Sequence, residues 1–313
     1  MPLLFFIAGS ATWFALGSRG PGQYLGERVR RLFIPFVFGT LVVVPPQAYL
    51  ARLREPGYAA SYLEFLTGYF RDFGDLTGYF GSFTPGHLWF ILFLFVISSA
   101  VLPLALALRE NPRSGWLARL PGWAGRPGAL FLLAVPLAAM KLLPELGGKN
   151  PFFYGLLFLY GYVYMSDPAW QRATREQRTT ALALAVVTSA GLMAIWGARP
   201  SWTSLWAGNL FVGFLETLNG WAWVVAWLGF AHAHLNFSHP VLRYANEAAY
   251  PFYILHQTVL VVLGWFVVRW ALGVGMKWTG ISVAGAAVTL ALYEVLVRRN
   301  RLLRFLFGLK AVE

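Results

Sequence analysis

NEAAYPFYILHQTVLVVLGWFVVRW, residues 246–270, decides the fold. Most of it is apolar enough to lie in lipid, and a run of roughly 17–25 such residues crosses the hydrocarbon core as a helix. Within lipid a single helix satisfies its own backbone groups, which an open strand cannot do. Yet Arg243 and Glu247 stand just before the run, Pro251 interrupts it and His256 lies well inside. Outward from this stretch the whole chain has the same character. Hydrophobic residues make up 58% of its 313 positions, aromatics 17% and charged residues 12%. Soluble domains carry about 25% charged residues, so this chain cannot cover a water-facing surface at its length. The expected fold class is all-α, a polytopic transmembrane helix bundle.

Nine apolar stretches are candidate spans, at about 2–17, 32–50, 88–108, 128–144, 151–166, 180–197, 206–233, 249–269 and 279–297. Nine spans sort the connections into two alternating sets. The segments 18–31, 109–127, 167–179, 234–248 and the tail 298–313 hold 17 of the 25 Lys and Arg residues, and the segments 51–87, 141–150, 198–205 and 269–278 hold 8. Basic loops stay in the cytoplasm, so the basic 298–313 tail and the C-terminus are expected there, with Met1 outside. The same rule explains the net charge of +12 without a nucleic-acid partner. The start MPLLFFIAG has no basic segment ahead of its apolar run, so it is not a cleavable signal. An outside N-terminus without a signal predicts one more helix upstream. That brings the count to ten and makes the single domain 1–313 N-terminally incomplete. Residues 51–87, rich in Gly and aromatics, form the longest extracytoplasmic loop, with one or two short interfacial helices expected in it. Long loops of this kind are often lids or binding surfaces.

The absence of cysteine excludes disulfides, thiolate nucleophiles and Cys-based metal sites. Ionisable groups at membrane depth are costly and line cavities or pair with one another, so the few present are the candidates. In ERVRRLFIP (27–35), Arg28, Arg30 and Arg31 are either cytoplasmic anchors or a phosphate site, since guanidinium forks match phosphate oxygens. In TPGHLWFILFLF (84–95), His87 and Trp89 open a span from the outer side, as an aromatic belt or as groups facing a hydroxylated acceptor. His232 and His234 are two apart, off a common helical face, and no third ligand is near, so no metal site is expected. Glu216 and Asn219 are one turn apart and are expected in structural hydrogen bonds. In the opening stretch Tyr253 and His256 fall on nearby faces, as do Glu247 and Tyr250. Pro251 is tolerated where a helix begins, so the helix is expected to start over Ala248–Pro251, with His256 about one and a half turns in.

Four stretches together resemble the acyltransferase 3 family of integral membrane acyltransferases. MPLLFFIAGSATW resembles the family's "P-L-F-F-hydrophobic-x-G" helix, GERVRRLFIPFVFG its basic "R-x-x-R-L-hydrophobic-x-P" segment and HLWFILFLF its "L-W-F-hydrophobic" helix. NEAAYPFYILHQTV resembles its C-terminal "S-Y-x-hydrophobic-Y-hydrophobic-x-H" motif, in the branch with glucans biosynthesis protein C-like members. The matches keep the family's order and cover nearly the whole chain. The resemblance implies a ten-helix bundle that moves an acyl group from cytoplasmic acyl-CoA to a hydroxyl of an extracytoplasmic or membrane-bound acceptor, often a carbohydrate. It implies acyl-CoA as co-substrate, no tightly bound cofactor, and a place in the bacterial inner membrane bilayer.

By the same resemblance Arg28 and Arg31 match the basic motif, Trp89 the third and Tyr253 and His256 the last. Arg28, Arg30 and Arg31 are expected to hold the CoA phosphates, Tyr253 and His256 to shape the donor passage, and His87 and Trp89 to face the acceptor. The family's first helix carries an arginine and, some ten residues on, a histidine regarded as the base. That helix is expected upstream of MPLLFFIAG. Two other readings remain open, a transporter or flippase of a polar lipid or saccharide and an inactive truncated homologue.

Overall fold

The computed structural model describes residues 1–73, 82–110, 120–235 and 237–310. Among the described residues every extended regular element is a helix, and the one bridge is the isolated pair Leu146–Lys149. All nine apolar stretches are helical. Five helices are long and apolar enough to cross a membrane: α2 (Pro21–Arg52), α10 (Arg178–Ala198), α11 (Trp206–His234), α12 (Pro240–Val267) and α13 (Val274–Val297). A sixth candidate is α4 (Gly86–Ala100) with α5 (Leu102–Glu110), bent by 45° at Val101. The apolar helices α1 (Pro2–Ser18) and α7 (Ala129–Met140) are shorter, and so is α8 (Pro151–Tyr164). The 17 residues of α1 extend about 25 Å at ~1.5 Å per residue, just under a hydrocarbon core of about 30 Å. The remaining α-helices among the described residues are α3 (Tyr62–Tyr69), α6 (Leu120–Ala124), α9 (Pro168–Glu176) and α14 (Arg301–Leu306), and Ser201–Ser204 forms a 3-10 turn.

The chain divides into two compact units. The first joins Met1–Tyr24 to Val96–Phe237, the second Leu25–Phe95 to Ser238–Glu313. In the first unit α1 lies against α8 with almost no side chain between them. A Cβ on Gly9 would fall on the carbonyl of Phe158, and one on Gly161 on the carbonyl of Phe6. Small residues let backbones approach where lipid supplies no hydrophobic drive between helices. Ser10 Oγ then donates to the Gly161 carbonyl at 3.0 Å, and Phe5 stacks on Tyr154 with centroids 4.6 Å apart. Further along α1, Arg109 donates to the Trp13 carbonyl at 2.9 Å with its guanidinium over the Trp13 ring.

In the second unit the loop 51–87 contributes α3, opened by a capping box in which Ser61 and Glu64 bond each other's backbone amides. The two hydrogen bonds from Ser61 hold the Glu64 carboxyl below its usual range. Phe65 and Tyr69 bury against Ala48 of α2. The middle of this loop, 74–81, lies outside the described residues. Helix α2 is interrupted by π turns at Val29–Phe33 and Gly39–Val43. Pro35, one turn after Arg31, has no N–H for the Arg31 carbonyl, which removes a helical bond at the first of them.

One sequence expectation is corrected here. Helix α12 begins at Pro240, eleven residues before Pro251, which lies inside it. His239 caps the start, its Nδ1 accepting from Val241 N–H at 3.2 Å, and Pro240 occupies the first turn, where a missing N–H costs nothing. The polar segment 240–248 is therefore helix rather than loop. His256 sits sixteen residues in, about 24 Å from the helix start at ~1.5 Å per residue.

Candidate functional site

The site lies in the second unit, where the start of α4 meets the middle of α12. Thr84 and Gly86 set the approach. Thr84 Oγ1 accepts from Gly86 N–H at 2.9 Å, and Gly86 adopts φ of 53° in the left-handed region. This turn delivers His87 to α12. Its Nε2 lies 3.0 Å from the carbonyl oxygens of both Tyr253 and Ile254, and the Tyr253 hydroxyl donates back to the His87 carbonyl. Each side chain thus bonds the backbone beside the other. Below this clasp Leu88 and Ile254 are fully buried and crowd Gly39 of α2, where an added Cβ would lie 3.4 Å from Ile254 Cγ2.

The turn yields a direct expectation. A Cβ on Gly86 would meet Val44 Cγ1 at 3.2 Å in a backbone conformation that side chains disfavour. Gly86→Ala should lower stability by about 1–3 kcal/mol, read as a lower melting temperature of the detergent-solubilised protein. An unchanged melting temperature would show that the turn is not held as described.

His256 joins the pair from its own helix. Its Nδ1 lies 2.7 Å from the Tyr253 carbonyl, and its ring stands edge-on to His87 with centroids 5.3 Å apart. Phe252 stacks parallel to it at 5.9 Å. A carbonyl oxygen can only accept, so the imidazole nitrogen facing it carries the proton. That fixes both tautomers. His87 holds its proton on Nε2, leaving a lone pair on Nδ1, a buried atom with no hydrogen-bond partner. His256 holds its proton on Nδ1, leaving the lone pair on Nε2. Each ring is thus oriented by a backbone carbonyl, and a neutral His256 presents its Nε2 lone pair as a proton acceptor. The sequence placed His87 and His256 on opposite sides; the structure puts their rings together because α12 starts early and carries His256 deep.

The other predicted residues take definite places. Trp89 begins the regular part of α4 and meets the Phe93 ring edge-on at 5.4 Å. Arg30 and Arg31 are exposed in the first π turn of α2, and Arg28 just before it is half-buried. The C-terminal turn at Gly308 packs there. A Cβ on Gly308 would lie 2.8 Å from the Arg31 carbonyl and 3.1 Å from Tyr250 Cε1, so Arg31 and Tyr250 share a neighbour. From Tyr250 to His256 is six residues, about 9 Å along the helix. The basic turn thus stands roughly two helical turns from the histidines. Glu247, one turn before Tyr250, accepts from the buried Arg304 at 2.9 Å.

Sequence reasoning missed three residues that fasten this geometry. Thr258 Oγ1 donates to the Val43 carbonyl at 2.7 Å and accepts from Gln47 Nε2 at 2.6 Å, stitching α12 to the second π turn of α2. Arg304 was counted only as a tail charge, although an unpaired Glu247 opposite was a signal. Asn219 and Glu216 belong to the first unit. Asn219 Nδ2 contacts the Ala185 carbonyl, Thr188 Oγ1 and Ser189 Oγ, each at 2.8 Å, the expected structural role. Glu216 lies 3.8 Å from Lys141 Nζ, and His234 stacks on Phe230 at 6.1 Å.

Comparison with curated proteins and with solved structures gives no match. Against family models, residues 1–295 match an acyltransferase domain.

Proposed function

The chain belongs to the acyltransferase 3 family of integral membrane acyltransferases, and from that premise we propose that it moves an acyl group from cytoplasmic acyl-CoA to a hydroxyl of an extracytoplasmic or membrane-bound carbohydrate. The observation that carries this reading is the paired, carbonyl-oriented His87 and His256 within a transmembrane bundle. O-acylation needs a proton acceptor as the hydroxyl attacks the thioester carbonyl, and a neutral imidazole suits that step near pH 7.

His256 Nε2 takes the hydroxyl proton as the new C–O bond forms. The C–S bond then breaks, and the proton passes from Nε2 to the departing CoA thiolate. The Tyr253 carbonyl supports the positive charge on the imidazolium through Nδ1–H. His87 and Trp89 face the acceptor, with the His87 ring held by the Tyr253 and Ile254 carbonyls. Within residues 1–313, His256 Nε2 is the lone pair assigned to this step.

Arg28, Arg30 and Arg31 hold the CoA phosphates, and the pantetheine arm runs from there toward the histidines. The basic tail and the C-terminus then lie in the cytoplasm of a bacterial inner membrane. The test is incubation of membranes carrying the chain with acyl-labelled CoA, followed by location of the label. Label in a hydroxyl ester of a saccharide is expected; uptake of saccharide with no label transferred would favour a transporter. In the same assay Arg30→Gln and Arg31→Gln should each raise KM for acyl-CoA about tenfold or more, the worth of a charge-assisted hydrogen bond, with kcat nearly constant. If the arginines only anchor the helix, KM stays where it was.

A further inference from the structure

Residues 301–310 lie past the matched stretch 1–295, yet they pack within the second unit. Asn300 caps α14, its Oδ1 accepting from Leu302 N–H at 2.9 Å and from Leu303 N–H at 3.1 Å. Arg304, one turn in, is 7% exposed, the one charged residue among the described residues that is buried. Its Nη1 donates to Glu247 Oε1 of α12 at 2.9 Å and to the Arg298 carbonyl at 3.4 Å, and its Nε donates to the Lys310 carbonyl at 3.1 Å. One guanidinium thus ties together α12, the residue after α13 and the chain beyond α14. The turn between Arg304 and Lys310 passes through Gly308, whose φ of 69° is left-handed, with Leu309 N–H donating to the Arg304 carbonyl at 2.9 Å. Phe307 is buried and meets Phe38 of α2 edge-on, with centroids 5.5 Å apart. A Cβ on Gly308 would lie 2.8 Å from the Arg31 carbonyl oxygen and 3.0 Å from Pro35 Cγ. The turn therefore bears on the two residues whose missing hydrogen bond opens the first π turn of α2.

We propose, resting on the reading of Arg30 and Arg31 given above, that Arg304 is a positioning residue for acyl-CoA. By holding the Gly308 turn against Arg31 and Pro35, it fixes the backbone of the π turn from which Arg30 and Arg31 reach the donor phosphates. A helix that lacks a bond at a proline can bend there, and this one carries two exposed arginines at that point. A backbone already set in place lowers the ordering cost when their guanidinium groups close on phosphate. Stability alone does not call for a guanidinium at position 304, because an apolar side chain of similar volume often serves a buried place as well. What an apolar side chain cannot do is donate to a carboxylate and two carbonyls on three separate segments. Arg304 touches no atom of the donor; its effect passes through the Gly308 turn.

The test is equilibrium binding of acetyl-CoA to the full chain in lipid nanodiscs. Arg304→Met keeps an apolar stem and removes every donor. It should weaken acetyl-CoA binding about fivefold or more and quicken amide hydrogen exchange over residues 29–38, with the folded fraction unchanged. In a protein that also carries Arg30→Gln and Arg31→Gln, the same substitution should cost less than about twofold, because residues that act through one another do not add. Arg304→Lys keeps a cation opposite Glu247 and should recover part of the affinity. A purely structural role predicts a lower melting temperature with an unaltered dissociation constant for the folded fraction. That result, or losses that simply add, would overturn the inference. Should Arg304→Met leave the folded peak in size exclusion, Gly308→Ala decides, since its Cβ must push the turn off the Arg31 carbonyl. Weakened binding in Gly308→Ala supports the brace and unchanged binding refutes it. If Arg30→Gln and Arg31→Gln themselves leave the affinity unaltered, the phosphate reading fails and the positioning role falls with it. If they weaken binding and Arg304→Met does not, the positioning role fails alone.

Discussion

His256→Gln is expected to lower kcat for acyl transfer by roughly 10²–10⁴-fold, the usual worth of a positioned general base, while the protein stays in the membrane at its normal level. Glutamine keeps a side-chain N–H that can reach the Tyr253 carbonyl, so the local hydrogen bond of 2.7 Å has a replacement. What it cannot supply is the lone pair that His256 carries on Nε2. On the proposed reading Arg30 and Arg31 hold the anionic end of the donor, so KM for acyl-CoA should move little. A purely structural role for His256 predicts another pattern, with a lowered melting temperature and kcat reduced in proportion to the protein lost. His256→Ala separates the two further. It opens room beside Phe252 and Tyr253, and added imidazole should restore part of the activity if the missing function is proton transfer. Full activity in His256→Gln removes His256 from the reaction.

That expectation depends on geometry the sequence could show only in part. The helices were legible because lipid allows one solution for an uninterrupted apolar run, and each of the nine runs is helical. The start of α12 differs from the sequence expectation because Pro240 and Pro251 can each punctuate a helix start. Both prolines fit a first turn, and the His239 side chain at the cap decides between them. The depth of His256 followed from that boundary and was misjudged with it. Contacts between distant segments had weaker signals. Thr258 and Gln47 each look like isolated polar residues near a span, and nothing in their spacing says that they bond each other across 211 positions. The apolar cavity of the first unit left no trace, since Leu133 and Leu159 read the same whether they meet a neighbour or line a void. The tautomers of His87 and His256 were likewise beyond the sequence, because they are set by which carbonyls the rings face.

Glycine spacing was a further silent feature, and it carries the largest expected effect on stability. Gly155 and Gly161 are both in α8, yet they face different surroundings. A Cβ on Gly155 would meet nothing within 4 Å, whereas one on Gly161 would strike the carbonyl of Phe6 in α1. Alanine is the better helix former by about 1 kcal/mol, so Gly155→Ala should be neutral or slightly stabilising. Gly161→Ala meets backbone, which cannot swing aside as a side chain does, so α1 and α8 must separate. Separation lengthens the Ser10–Gly161 hydrogen bond and draws Phe5 from Tyr154 and Trp13 from Tyr162. Overpacking of a tight interior costs about 1–3 kcal/mol and sometimes more, and a backbone clash belongs at the upper end. For a chain of this size that corresponds to a fall in melting temperature of roughly 5–10 °C, measured on the solubilised protein by size-exclusion fluorescence after heating. The Gly155→Ala protein serves as the matched control, since it makes the same chemical change on the same helix. Equal melting temperatures for the two variants would mean that α1 does not cross α8 at Gly9 and Gly161.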